Sequence, residues 1–253
     1  MELKVLGAFG GEAPGLKSSC ILVNNRIALD AGALTSSMSL QDQIRINYIL
    51  ISHTHLDHIQ DVSFLADNIF GKRKDPVRIV GLDKSIETIQ KHLLNNRIWP
   101  DFTKIPSAEQ PVLAYQPIKA GQEIKIEGLS VKAIPVNHAV PAVGYILSDA
   151  KNSIIYTGDT GPTESIWEEA RKLKNLRLVL IEVSFPNQMQ KLAELTGHFT
   201  PGLAEAELKK LNQDGVMVRA FHLKPAYLKE LKQELSKTKP RIIPLDQGEI
   251  IQI

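Results

Sequence analysis

Ser52-His53-Thr54-His55-Leu56-Asp57-His58 follows directly on the apolar run Ile49-Leu50-Ile51 and packs four potential metal ligands into six residues. In extended geometry residues two apart project to the same side. His53 and His55 can therefore reach one ion, while the turn that follows presents Asp57 and His58 to a second. Imidazole suits zinc, and the intervening carboxylate suits a harder or more hydrated partner site. The competing reading is a polar turn after a buried strand, but without a cation such a turn would gather repelling or unsatisfied groups at one place. The stretch thus reads as a strand end opening into a metal centre, and two ions need more donors than these four.

The chain offers further donors in matching settings. His138 stands in Pro135-Val136-Asn137-His138 after the strand-like run Val131 to Val136. Asp159 stands in Tyr156-Thr157-Gly158-Asp159-Thr160-Gly161, and His222 in Ala220-Phe221-His222-Leu223-Lys224-Pro225, each just past another such run. Taken singly, they could be a loop residue, a turn-former between glycines and a satisfied core histidine.

Outward from these points, strand-like runs cover Leu3 to Gly7 and Ser19 to Asp30, the latter folded about Asn24-Asn25. Others cover Asn47 to Ser52, Val77 to Gly81, Glu123 to Val136 broken at Gly128, and Val143 to Thr157 broken at Asp149 to Ser153. Leu176 to Ser184, Val216 to His222, Arg241 to Leu245 and Glu249 to Ile253 complete the set. Helical spacing of apolar residues marks Lys84 to Asn95 and Ser165 to Leu173. Thr200 reads as an N-cap before Pro201, and Pro225 opens a last helix through Leu228, Leu231 and Leu235. The segment from Asn96 to Pro117 carries four prolines and reads as a long ordered loop. No repeat or linker divides the chain, so residues 1–253 are expected to form one mixed α/β domain.

With 30 Lys+Arg against 28 Asp+Glu, the formal charge of +2 leaves no excess for gripping a polyanion by charge alone. The 43% hydrophobic content is enough to bury a core. Apolar runs fall far short of the roughly 20 residues that cross a bilayer, and the strand-like start lacks the basic region of an export signal. The single cysteine, Cys20, reads as a buried strand position. A cytoplasmic chain that engages no membrane is the expectation.

The order and setting of these motifs resemble the metallo-β-lactamase superfamily, which carries H-x-H-x-D-H, then a lone His, an Asp in a G-D turn and a final His. The resemblance spans nearly the whole chain. It implies a four-layer αββα sandwich with mixed, mostly antiparallel sheets and a metal centre at one edge between them. It also implies a ligand assignment: His53, His55 and His138 on a first ion, Asp57, His58 and His222 on a second, and Asp159 bridging. Two divalent ions are expected, zinc first, with manganese or iron as alternatives. Asp30, in Ala28-Leu29-Asp30-Ala31-Gly32, is either an anchor for a ligand histidine or a turn residue.

Two further motifs separate the branches of that superfamily. Ile181-Glu182-Val183-Ser184-Phe185-Pro186-Asn187 and Leu195-Thr196-Gly197-His198-Phe199-Thr200-Pro201 are similar to a pair found in its phosphodiesterase branches, closest to the class II 3′,5′-cyclic-nucleotide phosphodiesterases. His53 to Ile59 also resembles their H-x-H-L-D-H-[LIVM] signature, although Gln60-Asp61-Val62 stands where that signature expects a small residue two places on and a Ser near its end. The resemblance implies hydrolysis of a cyclic nucleotide to a nucleoside 5′-monophosphate by a metal-bridging hydroxide. Asp57, His198 and Glu182 form the expected catalytic set, with His198 either protonating the leaving alkoxide or binding a phosphoryl oxygen, and Glu182 fixing its tautomer and raising its pKa.

The expected partner is a small molecule, with no nucleic acid; self-association as a homodimer is left open. A tRNA 3′-processing endonuclease is the nearest alternative, but its long basic, Gly-rich clamp has no counterpart between Asp159 and His222. A thioesterase or lactam hydrolase and a non-catalytic metal-binding protein are the remaining ones. Trp99 and Phe102 are either core plugs or a stacking surface for a base. His92 reads as a surface helix residue, and Lys72-Arg73-Lys74 as a solvated loop.

Overall fold

In the computed structural model, which describes residues 1–253, the chain opens with β1 (Glu2–Gly7) and a hairpin of β2 (Cys20–Val23) and β3 (Ile27–Leu29). Asn24 and Asn25 close that hairpin with φ of 49° and 55°, a left-handed backbone that asparagine tolerates. Next come α1 (Leu40–Gln43), β4 (Tyr48–Leu50), α2 (Leu56–Asn68), β5 (Val77–Gly81), α3 (Asp83–His92) and β6 (Leu113–Pro117). The second half brings β7 (Glu123–Ile126), β8 (Leu129–Pro135), β9 (Val143–Ser148), β10 (Ser153–Tyr156), α4 (Ser165–Ala170), β11 (Leu176–Glu182), α5 (Gln190–Thr196) and α6 (Pro201–Leu208). The chain ends with β12 (Met217–Phe221), α7 (Leu228–Leu235), β13 (Ile243–Pro244) and β14 (Ile250–Gln252).

Two seven-stranded sheets result, ordered β14-β1-β2-β3-β4-β5-β6 and β13-β12-β11-β10-β9-β8-β7. Both are mixed, but they are not mostly antiparallel. Each is antiparallel on one side of its middle strand and parallel on the other. The cause is connection length: tight turns such as Glu127-Gly128 pair antiparallel neighbours, whereas chain that returns through a helix brings the next strand in parallel.

Three buried clusters separate four layers. One, including Leu3, Ile21, Val23, Val131, Tyr145 and Leu180, lies between the sheets. A second packs Ile59, Val62 and Leu65 of α2 and Ile89 of α3 on the outer face of the first sheet, and a third packs Trp167, Ala204, Leu208 and Leu231 on the second. The stacking is the expected αββα sandwich. No helix is long and apolar enough to cross a membrane.

The segment 96–117 is not loop throughout, because Leu113–Pro117 pairs with β5 as an edge strand, where a terminal proline costs no ladder bond. Trp99 meets Phe64 edge-on with centroids 5.4 Å apart and Phe102 is buried, both within the helix-side core of the first sheet, which makes them core plugs. Arg73 departs from a solvated loop by donating to the Ile46 carbonyl (2.7 Å) and to Asn47 Oδ1 (2.7 Å).

Candidate metal centre

The side chains singled out above reach one edge of the sandwich from separate strands. His53 follows β4 in the first sheet; His138, Asp159 and His222 follow β8, β10 and β12 in the second. The cluster therefore lies beyond the carboxyl ends of strands in both sheets, the usual place for a site in parallel segments. Asp57 and His58 are not in a turn after a strand: they occupy the first turn of α2, whose N-cap position is His55. Ile59, Val62, Ala66 and Ile69 recur at helical spacing and are buried, which is why the chain winds into a helix immediately after His55.

The donor atoms of His53, His55, His138 and Asp159 lie within 4.8 Å of one another, as do those of Asp57, His58 and His222. Asp159 Oδ2 is 3.7 Å from His53 Nε2, 3.3 Å from His58 Nε2 and 3.2 Å from His222 Nε2. His138 Nε2 is 3.2 Å from His55 Nδ1, and His222 Nε2 is 3.3 Å from Asp57 Oδ2. Donors about 2.0–2.1 Å from a tetrahedral zinc stand roughly 3.3 Å apart, so this spacing is what a shared cation requires. His53 Nε2, His58 Nε2 and Asp159 Oδ1 are buried with no hydrogen-bond partner. Buried polar atoms left so are costly unless a cation meets them, and the donor set fits divalent metal.

Four of the five inward-facing ligand imidazoles, all but His55, are held from behind. Asp30, fully buried at φ 55°, accepts from Ser52 N (2.7 Å), Ser52 Oγ (2.7 Å) and Tyr156 OH (2.7 Å), and bonds His58 Nδ1 at 2.8 Å. It is an anchor, and also a residue at a strand-to-loop bend. Ser52 Oγ lies 3.0 Å from His53 Nδ1, the Gly197 carbonyl 2.9 Å from His138 Nδ1, and Ser184 Oγ 2.8 Å from His222 Nδ1. Such contacts select the tautomer that aims the other nitrogen inward. Gly197, at φ 68°, is needed here because a Cβ would stand 3.0 Å from His138 Cα. The departure at Gln60-Asp61 also has a role: Gln60 Nε2 donates to the Gly32 carbonyl (2.6 Å) and Asp61 Oδ2 accepts from Thr35 N (2.7 Å), tying the loop after Asp30 to α2.

Burial, reinforced by neighbouring His58, pushes the pKa of His53 well down, and burial lowers His138 to about 4. Neutral imidazoles offer the lone pairs that a metal needs. For His58 burial acts in the same direction, but the carboxylates of Asp159 and Asp30 outweigh it and hold the pKa well above the usual value. Asp159 is the converse: burial would raise it, yet His222 and His58 keep it well below the ordinary carboxylate range.

Beside the cluster, His198 Nδ1 lies 2.9 Å from Glu182 Oε1 and 3.1 Å from Ser184 Oγ, leaving Nε2 as the free ring nitrogen. Glu182 is fully buried and also accepts from Phe199 N (3.1 Å) and Ser184 Oγ (2.9 Å). The pair is in contact as expected, but its electrostatics differ. Burial lowers the pKa of His198, and burial together with Asp159 raises that of Glu182, so the net shift of the ring is downward while Glu182 orients it. Ser184 and Tyr156 were not legible as site residues. Ser184 stands inside the quoted Ser-Phe-Pro-Asn motif, which is the one signal that marks it; Tyr156 has none, since only the fold sets it against Asp30.

Residues 25–220 match the family model of the β-lactamase superfamily domain. A "Probable 3′,5′-cyclic-nucleotide phosphodiesterase" of Yersinia pestis is 27% identical over 277 residues, covering 89% of this chain and 79% of its own length. Ribonuclease Z of Pyrococcus abyssi is 26% identical over 260 residues, covering 82% and 80%. The crystal structure of unliganded yeast PDE1 superposes with a TM-score of 0.81 at 22% identity, covering 100% of this chain and 99% of that one, a likeness of fold.

Proposed function

The chain belongs to the β-lactamase superfamily, and from that premise we propose that it is a metal-dependent phosphodiesterase converting a 3′,5′-cyclic nucleotide to the nucleoside 5′-monophosphate. The observation that carries the reading is the Glu182–His198 contact of 2.9 Å beside seven inward-facing donors, because it supplies a fixed proton donor next to a cation site. The Yersinia pestis relative supports the substrate class.

In this reading His53, His55 and His138 hold one ion, Asp57, His58 and His222 the other, and Asp159 faces both. Zinc is the first candidate, with manganese or iron as alternatives. Two divalent ions, when bound, supply positive charge for the phosphoryl oxygens and a nucleophile at neutral pH. The chain's own contribution is the rest of the step. As hydroxide adds to phosphorus and the P–O3′ bond breaks, His198, entering the step as the imidazolium, delivers its Nε2 proton to the departing 3′-alkoxide, which is a poor leaving group unprotonated, and is left as the neutral ring. Glu182 holds Nδ1 and so keeps the ring aimed.

The ribonuclease Z likeness makes endonucleolytic tRNA processing the second reading. Between Asp159 and His222 the chain builds α4, β11, α5, α6 and β12, with no separate basic arm for a polyanion. A panel of cyclic nucleotides, precursor tRNA, a thioester and an activated aryl phosphodiester, each assayed with several metals, tests the choice. We expect cyclic-nucleotide turnover to dominate and to depend weakly on salt, since few phosphate contacts are made. Robust cleavage of precursor tRNA without cyclic-nucleotide turnover would reverse the assignment.

A further inference from the structure

Beyond the ligands and the Glu182–His198 pair, one cation at this edge has no assigned task. Lys224 lies two residues past His222 and is half-buried. Its Nζ stands over the ring of Phe185, 5.2 Å from the centroid, and takes part in no hydrogen bond or ion pair within the chain. Phe185 is itself nearly buried and presses edge-on against His198, with centroids 5.8 Å apart. The ring is thus not free to stack on a base; it is a pedestal between the lysine and the proposed proton donor.

The backbone fixes this arrangement from both sides. His222 sits at φ 63° with its N–H on the Ala8 carbonyl (2.7 Å), the Leu223 carbonyl accepts from Gly10 N (3.2 Å), and Pro225 follows at once. A surface lysine is ordinarily solvated or paired with a carboxylate. This one is neither fully solvated nor paired, although Asp57, Asp159 and Glu182 all lie in the same edge of the fold.

We propose that Lys224, steadied over Phe185, is a phosphate-binding residue that takes a non-bridging oxygen of the substrate's phosphoryl group. The inference rests on the phosphodiester reading of the site but on no particular nucleoside. An ammonium one aromatic ring away from His198 and bonded to none of the chain's carboxylates is free to pair with an incoming anion, and the phosphoryl group is the anion that this reaction brings.

Inorganic phosphate titrated calorimetrically into the metal-loaded chain tests the idea without turnover. Lys224→Met keeps the stem and its packing on Phe185 while removing the charge. It should weaken phosphate about tenfold or more, as expected for loss of a charge-assisted contact. Lys224→Arg should retain most of the affinity, and metal content and thermal midpoint should stay at wild-type values in both. With the activated aryl phosphodiester, Lys224→Met should raise KM more than it lowers kcat. Phosphate bound by Lys224→Met as tightly as by the wild type, or not bound by the wild type at all, overturns the assignment. Should the cyclic-nucleotide panel fail while phosphate still responds to Lys224, the substrate choice falls and the phosphate site stands.

Discussion

At the residue scale the centre depends on groups that never face the cavity. Asp30 receives only donors: a backbone N–H, two hydroxyls and an imidazole N–H. Asp30→Asn preserves the shape but turns an NH2 group toward one of them. A buried group left unsatisfied costs about 1–3 kcal/mol, and a lost partner behind a ligand histidine typically costs 10–100-fold in metal affinity. Urea denaturation and metal titration of Asp30→Asn should show both losses. The role of His198 is separable from metal support in another way. A positioned general acid contributes on the order of 10²–10⁴-fold when the leaving group is poor, whereas a nitrophenolate leaves unprotonated. His198→Ala should therefore cut cyclic-nucleotide turnover far more than that of an aryl phosphodiester, with metal content unchanged. Glu182→Gln should show a weaker form of the same asymmetry. Equal losses on both substrates would assign His198 to binding a phosphoryl oxygen.

At the element scale, helix starts do much of the positioning. α2 begins at Leu56, right after its N-cap His55, so its first turn carries Asp57 and His58, with His58 N reaching the His55 carbonyl at 3.0 Å. α6 begins three residues after His198, capped by the Thr200 hydroxyl on Leu203 N at 3.2 Å and opened by Pro201. Thr200→Ala removes that cap and should destabilise the fold by about 1 kcal/mol, read as a shift in the urea midpoint. Because the same cap fixes the chain that leaves His198, cyclic-nucleotide turnover should fall as well, while the metal content of the folded variant stays at the wild-type level.

At the scale of the whole molecule, each of the three interfaces between layers has its own apolar cluster, and none of the three is built from the candidate ligand side chains. The sandwich should therefore outlast its ions. Chelation is expected to abolish activity while unfolding stays cooperative and only part of the stability is lost, the part due to binding free energy no longer favouring the native state. Circular dichroism and urea melts of the chelated chain measure this, and collapse to an unfolded chain on chelation would contradict it.

The sequence alone determined the mixed α/β class, most strand positions and the seven candidate donors, because each of these is written locally: period-two apolar runs, turn-forming asparagine and glycine, and histidines just past strand ends. Thr200 and Pro201 likewise announce their helix through short-range chemistry. What tertiary structure decided is whatever depends on residues far apart in the chain meeting in space. The balance of parallel and antiparallel pairing follows from which connections run through helices. The edge strand at Leu113–Pro117 exists because β5 lies beside it. Tyr156 on Asp30, Ser184 on His222 and Lys224 over Phe185 are contacts no spacing encodes. They arise because the carboxyl ends of strands from two different sheets converge on one edge, and only closure of the sandwich brings those ends together.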